Sequence, residues 1–395
     1  MHHQPGGEEM KMLDFSEFYR APRTFGAEGF RSCIAGIRPL FMEGPEYRGK
    51  PTRVFAWYGA PEPRGDKKRP GIVLVHGGLG TAFVGWVKRW VDRGYAAIAL
   101  DIFGGLPFPD GSYGSKNPPE RHAFSGPGHD DLFANTALPP EDQWPFHAVS
   151  EIISAASFLA AQPEVDPEKI GLTGISWGGY ASLLAAGFDP RFRFVMPVYG
   201  CGGFDRLSFV PRSVPAEERK RFAELWEPDR YLPAVKTPIL WVNGASDAFF
   251  DVFCWNRSSS LPPNSFRALR PAMLHGQMRG EEPAELESFA DAVLKRVPYP
   301  NFASLECDEK NLELRGRLTG KFASGTAEIV VTRASGRWND CLFRSSAAAA
   351  GPDPAVITGK LPFDWRAAYL LFRDGNDRIY TSGVVFRGGG EPNLG

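Results

Sequence analysis

Gly174-Ile175-Ser176-Trp177-Gly178-Gly179 reads G-x-S-x-G, and its surroundings decide how the chain folds. The residues before it, Lys169-Ile170-Gly171-Leu172-Thr173, predict a short buried strand. Those after it, Tyr180-Ala181-Ser182-Leu183-Leu184-Ala185-Ala186, predict a helix. A strand, a sharp turn and a helix lift one serine hydroxyl out of the fold on a strained elbow. The flanking glycines let helix and strand approach where a side chain would clash. Alone, the pattern arises often by chance. Between a strand and a helix it points to Ser176 as a nucleophile.

A hydroxyl is a weak nucleophile and needs a base, an orienting acid and an oxyanion hole. The chain offers them in the order Ser, Asp, His. Asp247 follows the apolar run Pro238-Ile239-Leu240-Trp241-Val242 through the loop Asn243-Gly244-Ala245-Ser246, and a carboxylate just past a strand end can reach a neighbouring loop. Asp251, four residues on, is the second candidate. The base candidate is His275, the only histidine after the serine. Gly71-Ile72-Val73-Leu74-Val75 reads as a strand covered on both faces and ends in His76-Gly77-Gly78-Leu79-Gly80. Such a turn offers backbone N–H groups, here Gly78 or Leu79, to a developing negative charge, with the amide of Trp177 as second donor. His76 precedes the turn and reads as structural.

Charge is nearly balanced, 45 basic against 46 acidic residues, which argues against a nucleic-acid or anionic-membrane surface. No apolar run is long enough for a membrane span. The first twenty residues have no apolar core of the secretory kind, so the expected location is the cytoplasm, or outside it if a leader was removed. Five scattered cysteines suggest buried thiols rather than a disulfide frame. No zinc-ligand spacing appears, and neither a metal nor another cofactor is expected.

Alternating strands and helices from about residue 51 to 299 predict a mostly parallel sheet with helices on both faces. The elements are strands at 53–58, 95–101 and 192–198 and helices near 82–92, 147–161 and 282–296. Residues 1–50 read as an N-terminal extension packing on this domain. Two segments interrupt the pattern. One, 103–145, is rich in Pro, Gly, Asp and His; its His122, His129, Asp130 and Asp131 read as a solvated polar loop in preference to a metal site. The other, 203–235, with Arg206, Arg212 and a charged helix near 216–225, sits where a cap over the site is expected. From 300 to 395, short alternating strands predict a small β-sandwich without chemistry of its own.

The stretch Gly171 to Gly203, with Asp189-Pro190-Arg191-Phe192 and Val198-Tyr199-Gly200-Cys201-Gly202 after the elbow, resembles bacterial α/β-hydrolases of the acetylxylan-esterase-like and prolyl-oligopeptidase-like kind. Dienelactone hydrolases are more distant relatives. The H-G-G turn, Trp241-Val242-Asn243-Gly244 and His275-Gly276 match as well, and the resemblance covers roughly residues 50–296. It implies the α/β-hydrolase fold, a triad of Ser176, Asp247 and His275, and hydrolysis of esters, often acetyl groups on polysaccharides. Dienelactone hydrolases carry a cysteine where this chain has Ser176.

Taken together, these readings lead to a carboxylic ester hydrolase working through an acyl-enzyme. A small-molecule or carbohydrate ester is the expected partner, and the oligomeric state is left open. Tyr199, Phe249 and Phe250, with Trp177, are candidates for an aromatic substrate pocket. A peptidase, or a non-catalytic binding protein on the same scaffold, are the alternatives.

Overall fold

The computed structural model describes residues 13–62, 65, 67–117, 119–204, 206 and 214–389. Among the described residues the main sheet has nine strands: β1 (Thr24–Phe25), β2 (Ile37–Tyr47), β3 (Lys50–Gly59), β4 (Arg69–Val75), β5 (Ala96–Leu100), β6 (Val165–Ile175), β7 (Val195–Val198), β8 (Ile239–Gly244) and β9 (Ser265–Arg270). Their spatial order is β1-β2-β3-β5-β4-β6-β7-β8-β9. The first three run antiparallel to their neighbours, and every pairing from β5 to β9 is parallel. This is the α/β-hydrolase fold. Residues before 51 thus supply two strands of the sheet itself rather than a layer laid on it. Pro39, Gly44 and Pro45 interrupt the apolar pattern of β2 and hide it in the sequence.

Parallel strands buried on both faces are apolar throughout. Accordingly Ile72, Val73, Leu74 and Val75 of β4 and the whole of β5 are buried. The helices that flank the strands are α1 (Val84–Asp92), α2 (Trp144–Ala160) and α3 (Trp177–Phe188). Helix α2 is buried around its whole circumference, which its near-uniform apolarity reflects. The N-terminal segment covers the side that faces away from the sheet. Phe15 packs on Phe146 and Phe188 at 5.0 and 4.7 Å between ring centroids, and Ser157 Oγ donates to Phe18 O.

The C-terminal region forms two antiparallel sheets. One joins Asn301–Asp308, Glu313–Thr319, Val356–Lys360 and Ala349–Ala350; the other joins Arg344–Ala347, Gly325–Thr332, Ala367–Asp374 and Ile379–Thr381. They pack face to face. A Cβ at Gly359 of the first would stand 2.5 Å from Ile329 of the second, and one at Gly316 2.9 Å from Leu370. This pair of sheets also closes the main sheet at β9, an edge that would otherwise expose unpaired backbone groups. Leu269 N donates to Thr381 Oγ1, Tyr369 OH donates to Leu269 O, and Ile379 N donates to Glu285 Oε1. Glu285 is fully buried, with Arg270 as its ion-pair partner.

Removing residues 302–395 therefore uncovers the edge of β9 and takes a hydrogen bond from a buried carboxylate. A lost partner of that kind costs about 1–3 kcal/mol. The truncated chain is expected to melt lower by roughly 5 °C or more, since about 1 kcal/mol shifts a domain of this size by 2–4 °C. A thermal melt of residues 1–301 that overlays the full chain contradicts this.

Candidate active site

Ser176 stands between β6 and α3 with φ +58° and ψ −119°, a conformation costly for a residue with a Cβ. The close packing of strand and helix holds it there. A Cβ at Gly174 would stand 2.1 Å from Gly178 O, and one at Gly178 would stand 2.1 Å from Val75 O. No other residue fits at either position, so the two glycines of the motif are demanded by backbone approach. Ser176 N donates to Val198 O, which ties the turn to β7.

The three residues of the expected triad come together. His275 Nε2 lies 2.9 Å from Ser176 Oγ, and His275 Nδ1 lies 2.8 Å from Asp247 Oδ2. A carboxylate only accepts, so Nδ1–H donates to Asp247 and Nε2 is left to accept from the serine hydroxyl. Asp247 is 1% exposed, and its other oxygen accepts from the amides of Phe249 and Phe250 at 2.9 and 2.8 Å. Three hydrogen bonds offset the desolvation of a buried carboxylate. The loop is pinned further by Asn243 Nδ2 donating to Phe250 O. Ser246 Oγ donates to Cys341 O, and Asn339 Nδ2 donates to Ala248 O, both across to the short helical turn Trp338–Asp340 and its C-cap in the C-terminal region.

Asp251, the second candidate for the acid, does a different job. It caps the helix Val252–Ser259, accepting from the amides of Phe253 and Cys254.

The His76–Gly80 turn lies against the serine. A Cβ at Gly77 would stand 3.0 Å from Ser176 Cβ, and one at Gly78 2.8 Å from Trp177 Cδ1. Gly80 N donates to Gly77 O, and Leu79 adopts φ +59° at the exposed tip. Among the described residues the amides of Gly78 and Leu79 make no hydrogen bond. His76 is buried and braces the turn, with Nδ1 2.7 Å from Gly77 O while Nε2 accepts from Ile102 N.

The aromatic pocket is arranged otherwise than the sequence suggests. Tyr199 and Phe250 are buried. Tyr199 adopts φ +58°, its ring lies 4.5 Å from the imidazole at a tilt of 37°, and its hydroxyl donates to Leu274 O, so it fixes the backbone beside His275. Burial pushes its phenol up, out of the range in which it ionises. Phe250 lies parallel to the imidazole at 6.3 Å. Of the three, only Phe249 is open to solvent, 45% exposed with its ring 4.7 Å from that of His275. The neighbours missed by sequence reasoning are Phe133 and Phe204, whose rings stand 6.2 and 6.1 Å from Trp177. They come from the two interrupting segments, where no periodicity marks them.

Those segments meet over Trp177. The helix Ala216–Trp226 buries Phe222 against Phe204, and Trp226 Nε1 and Glu218 bond to Gln143 and Thr136 of the 103–145 segment. Arg212 lies outside the described residues. In the 103–145 segment His129 sits over Gly78, and burial pushes the imidazoles of His122 and His129 down. Among the described residues no cluster of three or more His, Cys, Asp or Glu side chains is placed to hold a metal ion, and no helix is long and apolar enough to cross a membrane.

Comparison with known proteins agrees with this architecture. The acetyl xylan esterase of Paenibacillus sp. R4 superposes with a TM-score of 0.55 at 19% identity, covering 70% of this chain and 92% of that one. Acetyl xylan esterase 1 of a Thermoanaerobacterium species gives 0.51 at 18% identity, covering 71% and 93%. At those identities the likeness is one of fold. Among curated proteins, the thiohydrolase aneE of Aspergillus aculeatus is 38% identical over 61 residues, 15% of this chain and 19% of that protein. The polyketide transferase claH of Penicillium crustosum is 48% identical over 50 residues, 13% and 16%. The chain thus matches about a fifth of the length of these curated relatives. Residues 56–252, which hold β4, the elbow with Ser176 and the Asp247 loop, match the model of the Dienelactone hydrolase family.

Proposed function

We propose that this protein is a serine hydrolase of carboxylic esters. The single observation that carries the reading is the continuous hydrogen-bonded line from Ser176 Oγ through the imidazole of His275 to the buried Asp247. Along it, His275 takes the serine proton as Oγ attacks the ester carbonyl. Asp247 keeps the ring in the tautomer that accepts at Nε2 and stabilises the imidazolium that forms. The amides of Gly78 and Leu79, which make no hydrogen bond among the described residues, are suited to the oxyanion of the tetrahedral intermediate, as is the amide next to the nucleophile, that of Trp177. Collapse of that intermediate releases the alcohol, protonated by His275, and leaves an acyl-serine. Water, activated by the same imidazole, then releases the acid.

The site's surroundings are aromatic: Phe249 at the opening and Phe133, Phe204 and Trp177 beneath the cap. They favour esters with an apolar acyl or alkoxy part. The test is a panel of p-nitrophenyl esters of increasing chain length, aryl esters and acetylated xylan, run beside labelling by a fluorophosphonate probe. Expected are burst release of nitrophenol and labelling of Ser176. Absence of both contradicts the reading. Cleavage of aminoacyl-nitroanilides without cleavage of esters favours a peptidase.

A further inference from the structure

One turn of helix, Gln277–Glu281, follows His275 after Gly276 and touches both the H-G-G turn and the strand that leads to Ser176. Gln277 Oε1 accepts from Gly77 N at 3.4 Å, and its Nε2 donates to Glu281 Oε1 at 3.0 Å. These two bonds fix which end of the amide faces the H-G-G turn. A carboxylate accepts only, so Glu281 takes the NH2 end and the carbonyl end is left for Gly77. Gly280 of the same turn packs on Ile175, beside the serine. A Cβ at Gly280 would stand 3.0 Å from Ile175 Cδ1. The helix is thus seated on the strand that carries Ser176, and its first side chain reaches the turn that borders it. By engaging Gly77, Gln277 anchors the turn just before Gly78 and Leu79, whose amides make no hydrogen bond among the described residues.

We propose that Gln277, oriented by Glu281, is a positioning residue that holds the His76–Gly80 turn with the amides of Gly78 and Leu79 aimed at the oxyanion. This rests on the ester-hydrolase reading of Ser176. The charged and titratable groups around Glu281 are Arg89 of α1, Glu282 beside it and Tyr113 of the 103–145 segment. Burial dominates and pushes the Glu281 carboxyl up to about 7, raised further by Glu282 and opposed by the bond from Gln277 and the charge of Arg89. Burial, and then the charge of Glu281, pushes the Tyr113 hydroxyl up as well, so it stays neutral. The acceptor-only form of Glu281 therefore prevails above that pH and is lost as pH falls through it. A protonated Glu281 carries its own O–H donor, tolerates either orientation of the Gln277 amide and loosens the hold on Gly77.

The test compares the full chain with its Gln277→Leu and Glu281→Gln variants. The probes are a p-nitrophenyl ester, a trifluoromethyl ketone that forms a tetrahedral adduct at serine, and a fluorophosphonate. Losing an oxyanion donor outright costs about 10²–10³-fold in kcat, so losing its support is expected to cost about tenfold. KM should stay within about twofold, and the ketone should bind weaker by the same tenfold, because both losses are of transition-state stabilisation. For Glu281→Gln, the ratio of wild-type to variant rate should be near one at about pH 6 and rise to about threefold at about pH 8. The ratio cancels every titration the two proteins share. Unchanged ketone affinity in Gln277→Leu, or a ratio flat across that range, overturns the proposal. If Gln277→Leu does not fold, Gln277→Asn, whose shorter amide falls short of Gly77, is read by the same criteria. No labelling of wild-type Ser176 overturns the ester-hydrolase reading itself, whereas normal labelling with unchanged ketone affinity overturns only the role of Gln277.

Discussion

Ser176→Ala lowers ester hydrolysis by about 10⁴-fold or more while the melting temperature stays near that of the parent. The argument has two parts. The hydroxyl is the only atom removed, and its hydrogen bond is to His275, so the chemistry loses its nucleophile. The fold loses nothing of weight, because the elbow is held by the backbone bond from Ser176 N to Val198 O and by the packing of Gly174 on Gly178. The φ of +58° strains alanine as it strains serine, so the substitution leaves that cost unchanged. Steady-state assay of a fluorophosphonate-unreactive variant checks the result. Activity within tenfold of the parent would remove Ser176 from the mechanism.

The second large effect separates two neighbouring carboxylates. Asp247→Asn should lower kcat by roughly 10²–10⁴-fold, since an amide facing His275 Nδ1 can present its NH2 group and favour the wrong tautomer. Asp251→Asn should leave kcat within a few-fold, and stability within a few tenths of a kcal/mol, because asparagine caps a helix about as well as aspartate. Asp251→Ala, which removes the cap of Val252–Ser259, should cost about 1 kcal/mol of stability without the kinetic loss. Kinetics and melting of the three variants decide it. A large kcat loss in Asp251→Asn with none in Asp247→Asn would reverse the assignment.

A strand ending in H-G-G and an elbow between strand and helix were legible along the chain because each is a local feature, and the order Ser, Asp, His is read directly from residue numbers. Buried parallel strands must be continuously apolar, a serine on an elbow must be flanked by glycine, and a carboxylate past a strand end lies near the rim. These constraints act within ten residues, so composition and spacing carry them. By the same logic the alternating pattern after residue 300 revealed antiparallel strands.

Other features were settled only by contacts between distant residues. The sequence puts Asp247 first and Asp251 second only by their place past the strand end. They part because one points at His275, 28 residues on, and the other at the amides two and three residues ahead. Tyr199 and Phe250 look like pocket walls until burial shows them packed behind the imidazole, where they orient it. Strand β2 is masked by its prolines and glycine and exists because β3 offers it an edge. Gln277 has no signature at all: its partner on the H-G-G turn lies 200 residues earlier. The sequence alone determined the parallel strands of the sheet, the elbow and the chemical identity of the groups. The tertiary structure decided which of those groups touch, because hydrogen-bond partnership and burial depend on distances that chain spacing does not set.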